Sequence, residues 1–209
     1  MFFRLATALS MVLALTVGPS YAQEVRITPE VGERSFSISG QTLRIDRIQD
    51  TAHKIDNEFA KTSRPCPPFC IQPVTLGDGV VTVGELEVID FLETHVQTGR
   101  GLLMDSRLPE WFVKGTIPGA VNVPFSTLES TNPYRDEILR ALGAAPRGIG
   151  FDFTNALHLM LFCNGPWCDQ SPRAIRNLID VGYPADKISY YRGGMQLWLL
   201  LGLTVRNPA

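Results

Sequence analysis

No stretch of the sequence is strongly basic. With 19 Lys+Arg against 21 Asp+Glu the formal charge is −2, which argues against binding driven by neutralising nucleic-acid phosphates. Histidine is scarce: the three residues stand far apart in the chain, so a histidine-rich metal site is not expected. No motif calls for a cofactor. Beyond residue 22 no apolar run approaches the roughly 20 residues that span a bilayer. Charged residues make up only 19% and hydrophobic ones 44%, too apolar a balance for a disordered chain. These exclusions leave a globular protein with a proper core, handling a small molecule or a protein partner. Its 209 residues suit one ordinary domain with an appendage.

The N-terminus carries its own signal. Arg4 precedes an apolar stretch over residues 5–17, then Gly18, Pro19 and the small-residue end Ser20, Tyr21, Ala22. This pattern predicts a secretory leader over residues 1–22, cleaved before Gln23. Its apolar part, about 13 residues, is too short for an anchor. The mature protein is therefore expected to be periplasmic or secreted, without stable insertion in the membrane. Its four cysteines, Cys66, Cys70, Cys163 and Cys168, are then read in an oxidising compartment.

Residues 23–79 form an N-terminal extension. Apolar and polar residues alternate on either side of Ser39 and Gly40, which predicts a β-hairpin. Asp50 opens a stretch with Ile55 and Phe59 one helical turn apart, predicting a short helix to Lys61. Residues 64–73 contain four prolines, predicting an extended, polyproline-like strap. From residue 80 to 209 strand and helix patterns alternate. Thr82 and Glu85 read as a capping box before an amphipathic helix. Strands are predicted at 101–105, 120–123, 157–162 and 187–191, with helices after Asn132, Ser171 and Met195. Regular alternation of this kind means an α/β fold with a mainly parallel central sheet flanked by helices.

Cys163 directly follows the most apolar strand, at a turn that feeds a helix. In open parallel sheets ligands bind beyond the carboxyl ends of the strands. Backbone N–H groups and the positive end of the helix dipole there favour thiolate over thiol, as a nucleophilic cysteine requires.

The segments around it carry a resemblance. Asp105-x-Arg107, Glu110 and the run from Gly115 to Pro124 resemble the signature segments flanking the second strand of rhodanese-like domains. Residues 191–198, with Gly193, Gly194 and Trp198, and residues 202–205 look like that family's closing segment. With Cys163 and the helix start at Ser171, the resemblance covers about residues 80–206 in four segments in the right order.

The resemblance implies a sulfurtransferase. The Cys163 thiolate would take a sulfane sulfur from a small donor, hold it as a persulfide, and pass it to a thiophilic acceptor, which could be a protein thiol. The substrate would be cradled by the loop of Asn164, Gly165, Pro166, Trp167, Asp169 and Gln170. Asp105 would fix loop backbone. Arg107 would pair with Glu110 or a loop carbonyl, or else touch an anionic substrate.

Thr116 stands where the family usually has His. The loop is about two residues longer than the common version, which predicts a wider pocket. Arg173 lies ten positions after Cys163, so the Cys-x5-Arg spacing of phosphatase relatives is missing.

Cys168 lies in the same loop, a candidate resolving thiol or disulfide partner for Cys163. If the strap is extended at ~3.1 Å per residue, Cys66 and Cys70 stand about 12 Å apart, and a local bridge needs a turn at Phe69. Cys66–Cys70 with Cys163–Cys168 leads the pairings, ahead of links between strap and loop. Trp167 could stack on a substrate or lid the pocket. His158 reads as a core residue; His53 and His95 carry no signal. Two other readings stay open: a thiol–disulfide relay using Cys163 and Cys168, and a non-catalytic binding module.

Overall fold

The computed structural model describes residues 24–208, and the expected leader lies outside that range. In the extension, β1 (Arg34–Ile38) and β2 (Gln41–Ile45) form the expected antiparallel hairpin. Ser39 and Gly40 both take positive φ, 50° and 78°, as a two-residue hairpin turn demands. Phe36 and Ile45 are buried in one core with Leu92 and Trp198, so the hairpin is stitched to the main domain by apolar burial.

Two expectations for the extension are overturned. Only one 3-10 turn, Glu58–Ala60, replaces the helix over 50–61. None of its residues is fully buried, although Phe59 packs against the main core, and no continuous helical face is covered that would hold a longer helix. The proline segment is not extended either. It turns over residues 66–69, closed by the Phe69 N–H on the Pro65 carbonyl. That turn brings the Cα atoms of Cys66 and Cys70 to 4.6 Å, and the two are joined as a disulfide.

The main domain runs β3 (Val81–Val83), α1 (Glu85–Phe91), β4 (Gly101–Asp105), α2 (Pro109–Phe112) and β5 (Val121–Asn122). It continues through α3 (Arg135–Ala141), β6 (Ala145–Arg147), β7 (Gly150–Asp152), β8 (His158–Phe162), α4 (Gln170–Asp180), β9 (Ile188–Tyr191) and α5 (Gly194–Leu200). Five strands form a parallel sheet in the order β3-β9-β8-β4-β5, and β6 with β7 makes a separate hairpin that the sequence pattern did not announce. The predicted capping box is displaced: Thr82 lies in β3, and the Glu87 carboxylate accepts the Gly84 N–H instead. Among the described residues no helix is long and apolar enough to cross a membrane.

Strand β8 sits at the centre of the sheet with both faces covered. Met160 and Phe162 face α1, α5 and the hairpin; Leu159 and Leu161 face α3 and α4. Its residues from Leu159 to Phe162 are almost wholly buried, which accounts for the apolar run. At its other end His158 packs against His95, with ring centroids 4.5 Å apart. The sequence pattern gave no hint of this pairing. Burial, then His158 and Arg100, hold the His95 ring below its ordinary value.

Candidate active site

Three neighbours fix the turn after β8. The first amides of α5 donate to it: Met195 N–H to the Cys163 carbonyl at 3.0 Å and Gln196 N–H to the Asn164 carbonyl at 2.9 Å. The Cys168 N–H closes a turn onto the Gly165 carbonyl at 2.9 Å. From there α4 begins at Gln170, with Asp169 as its cap. The loop curls back, and the Cys163 sulfur lies 3.3 Å from the Cys168 carbonyl oxygen.

Both sulfurs sit among backbone N–H groups. The amides of Gly165 and Ser171 favour the charged form of Cys163, and those of Asn164 and Gln170 that of Cys168. The Cys163 thiol donates to the Cys168 carbonyl and the Cys168 thiol to the Gln170 side-chain oxygen, at 3.3 and 3.6 Å. Burial pushes the Cys163 thiol up, but the bonds from Cys168, from the Ser171 amide and hydroxyl, and from Gly165 outweigh it and hold the thiol below its ordinary range. Burial and the neighbouring Cys163 sulfur push Cys168 the other way, well above that range. Cys163 is thus the more readily ionised of the two, and Cys168 the one held as thiol. The Ser171 hydroxyl, expected to cap the helix, is instead buried with no oxygen or nitrogen partner among the described residues.

Cys163 and Cys168 are free thiols in this structure, so of the two leading disulfides only Cys66–Cys70 is formed. The longer loop does not open a wider pocket. Cys163 is 2% exposed, Asn164 4% and Cys168 6%, and the extension packs on the loop at Pro166 and Trp167. The Gln72 N–H donates to the Pro166 carbonyl at 2.7 Å, and Arg192 holds the Gln72 carbonyl. Trp167 is packed edge-on by Phe69 at 5.6 Å and lies under the Arg64 guanidinium at 3.8 Å. Its indole N–H donates to Gln196, whose amide reaches the Phe59 carbonyl. Trp167 is therefore the point of the loop on which the strap packs. Nothing in the pattern around Arg64, Gln72 or Gln196 marked them as its partners.

Arg107 is 1% exposed and forms a two-pronged pair with Asp105, 2.8 Å and 2.6 Å, rather than pairing with Glu110. It also donates to the Gly115 carbonyl and to the Asn164 side chain. All its guanidinium nitrogens are engaged inside the protein, which is the structural alternative offered for it. Thr116 donates its hydroxyl to the same Asp105 carboxylate at 2.7 Å. Arg173 pairs with Glu129 and stacks over Phe125, so it does not serve as a phosphoryl clamp at Cys163.

Comparison with known proteins agrees with this geometry. The model of the rhodanese-like domain matches residues 88–201. A human thiosulfate:glutathione sulfurtransferase is 34% identical over 109 residues, 52% of this chain and 87% of that protein. An HTH-type transcriptional regulator of Mycobacterium tuberculosis is 27% identical over 113 residues, 54% of this chain and only 41% of that longer protein. Among solved structures, the human single-domain sulfurtransferase TSTD1 aligns with a TM-score of 0.40 at 28% identity, over 58% of this chain and 97% of its own. A cysteine loop at the end of a central parallel strand, and a family model matched over more than half the chain, lead to one assignment: the chain belongs to the rhodanese-like domain family.

Proposed function

We propose that this protein is a sulfurtransferase whose nucleophile is Cys163. The observation that carries the reading is Cys163 buried at the carboxyl end of the central parallel strand, in a loop feeding α4 whose Gly165 and Ser171 amides favour the charged form of its sulfur. Such a cup stabilises charge where it develops, on the thiolate and then on the persulfide. With thiosulfate as donor, the Cys163 thiolate attacks the outer sulfur, the sulfur–sulfur bond breaks, and sulfite leaves with the electron pair. A thiophilic acceptor, a small thiol or a protein thiol, then attacks the outer sulfur of the persulfide and restores the thiolate. Two half-reactions through one covalent intermediate give ping-pong kinetics. The loop of Asn164, Gly165, Pro166, Trp167, Asp169 and Gln170 cradles the anionic sulfur. The thiosulfate named in the human relative supports the class of donor. The protein acts outside the cytoplasm, a reading supported by the leader pattern and by the disulfide on the strap.

Intact-mass analysis of the reduced chain after exposure to thiosulfate tests this. A gain of one sulfur atom, labile to cyanide and absent in Cys163→Ser, is expected. No adduct with thiosulfate or polysulfide would leave a binding module as the better reading, and an adduct that persists in Cys163→Ser removes the residue assignment.

A further inference from the structure

Cys168 has no role in the transfer scheme, yet it lies beside Cys163. It is buried in the same loop, its carbonyl oxygen lies 3.3 Å from the Cys163 sulfur, and its own thiol donates to the Gln170 side-chain oxygen. The two are unbonded thiols, whereas the strap cysteines are a disulfide. With Cys163 2% exposed, an acceptor from solution reaches it only if the surroundings of the loop move. Cys168 is already inside. Two buried hydroxyls beside the pair, Ser171 and Tyr190, are also without oxygen or nitrogen partners among the described residues. Tyr190 stands on the same face of the sheet, level with Leu161 and two residues short of Cys163.

We propose that the loop has a second activity, in which Cys168 resolves the Cys163 persulfide, releasing hydrosulfide and leaving a Cys163–Cys168 disulfide. The proposal rests on the persulfide reading of Cys163. The Cys168 thiol gives its proton to the outer sulfur, and the resulting thiolate attacks the Cys163 sulfur. The bond between that sulfur and the outer one breaks, and the outer sulfur leaves with the electron pair as hydrosulfide. The sulfane sulfur gains two electrons, and the two cysteines lose two in forming one disulfide. A dithiol reductant returns the loop to two thiols for another turnover. Burial and the adjacent sulfur keep Cys168 protonated until the outer sulfur takes the proton. The hydroxyls of Ser171 and Tyr190 are available as donors to the departing anion.

The test uses the full chain with its strap disulfide intact and both loop thiols reduced, freed of reductant and exposed to inorganic thiosulfate. Released sulfide is measured alongside intact mass and peptide mapping. The wild-type chain should release about one sulfide per molecule and lose both thiols to a disulfide mapped to Cys163 and Cys168, the stoichiometry of thiol–disulfide exchange. Cys168→Ser should instead hold the extra sulfur and release none, its adduct showing that the loop still folds; Cys168→Ala should repeat this. Sulfide release that persists in both variants, or a disulfide mapped to any other pair, overturns the proposal. Persulfide that accumulates on the wild-type chain without sulfide overturns it while leaving the transfer reading intact. Absence of any adduct on wild-type and variants alike removes both.

Discussion

Gly194 stands against the carbonyl of Cys163 with no space for a side chain: a Cβ there would lie 2.3 Å from that oxygen and 2.8 Å from the Gly165 nitrogen. Its φ of 56° is also one that L side chains rarely adopt. This contact lets the first amides of α5 hold the Cys163 and Asn164 carbonyls. Gly194→Ala must either move α5 or unfold the turn. A left-handed non-glycine residue alone costs about 1–2 kcal/mol, and forced overpacking adds a similar amount. The expected result is a melting temperature lower by roughly 5–10 °C, with a lower yield of sulfur adduct at Cys163. Unchanged melting would show that α5 is not what holds the loop.

The two loop cysteines should titrate apart. Alkylation of Cys163 should reach half its maximal rate below the usual thiol value of about 8.5, while Cys168 stays unlabelled there. The neighbouring Cys168 thiol favours the charged form of Cys163, so Cys168→Ala should raise the Cys163 midpoint. Cys168→Ser keeps a donor and should raise it less. Rate against pH, read by mass spectrometry of the labelled peptide, checks the order of the three.

Asp105 and Arg107 are both buried and bonded twice. Removing one partner strands the other charge, which costs about 3–5 kcal/mol. Arg107→Ala should therefore destabilise the chain severely, and Arg107→Lys should rescue little, because an ammonium cannot span both carboxylate oxygens. Thr116→Val should cost about 1–2 kcal/mol through the lost hydroxyl bond to Asp105. Denaturant midpoints at constant slope measure all three.

The main domain was readable because β8 and its neighbours obey local rules. A run as apolar as 157–162 has no stable place except a covered parallel strand, and the turn after it had to lie at the sheet's carboxyl end. The hairpin was equally legible from alternation around Ser39 and Gly40. The extension misled where local pattern and tertiary contact disagree. Ile55 and Phe59 are spaced for a helix, yet Phe59 spends its contacts on the main core and on Trp111. Proline content suggested an extended strap, while the disulfide imposes a turn. The covering of Trp167 by Arg64 and Phe69 joins residues about a hundred positions apart, and no spacing rule reaches that far. Nor does any rule show that Arg107 folds back on Asp105 instead of Glu110.

The strap should govern how fast reagents reach Cys163. Its hold on the loop consists of the Phe69–Trp167 contact, the Arg64 guanidinium over the indole, and the bond from Gln72 to the Pro166 carbonyl. An aromatic pair is worth about 0.5–1.5 kcal/mol, so Phe69→Ala should make the uncovered state roughly 2- to 10-fold more populated. Alkylation of Cys163 at fixed pH should accelerate by the same factor, provided opening and closing are fast. Reducing Cys66–Cys70 should act in the same direction, since that bond holds the turn on which Phe69 is presented. A strap that merely decorates the domain predicts no change in either experiment. An equal acceleration in Trp167→Ala, with the Cys163 midpoint unmoved, would assign the effect to access rather than to acidity.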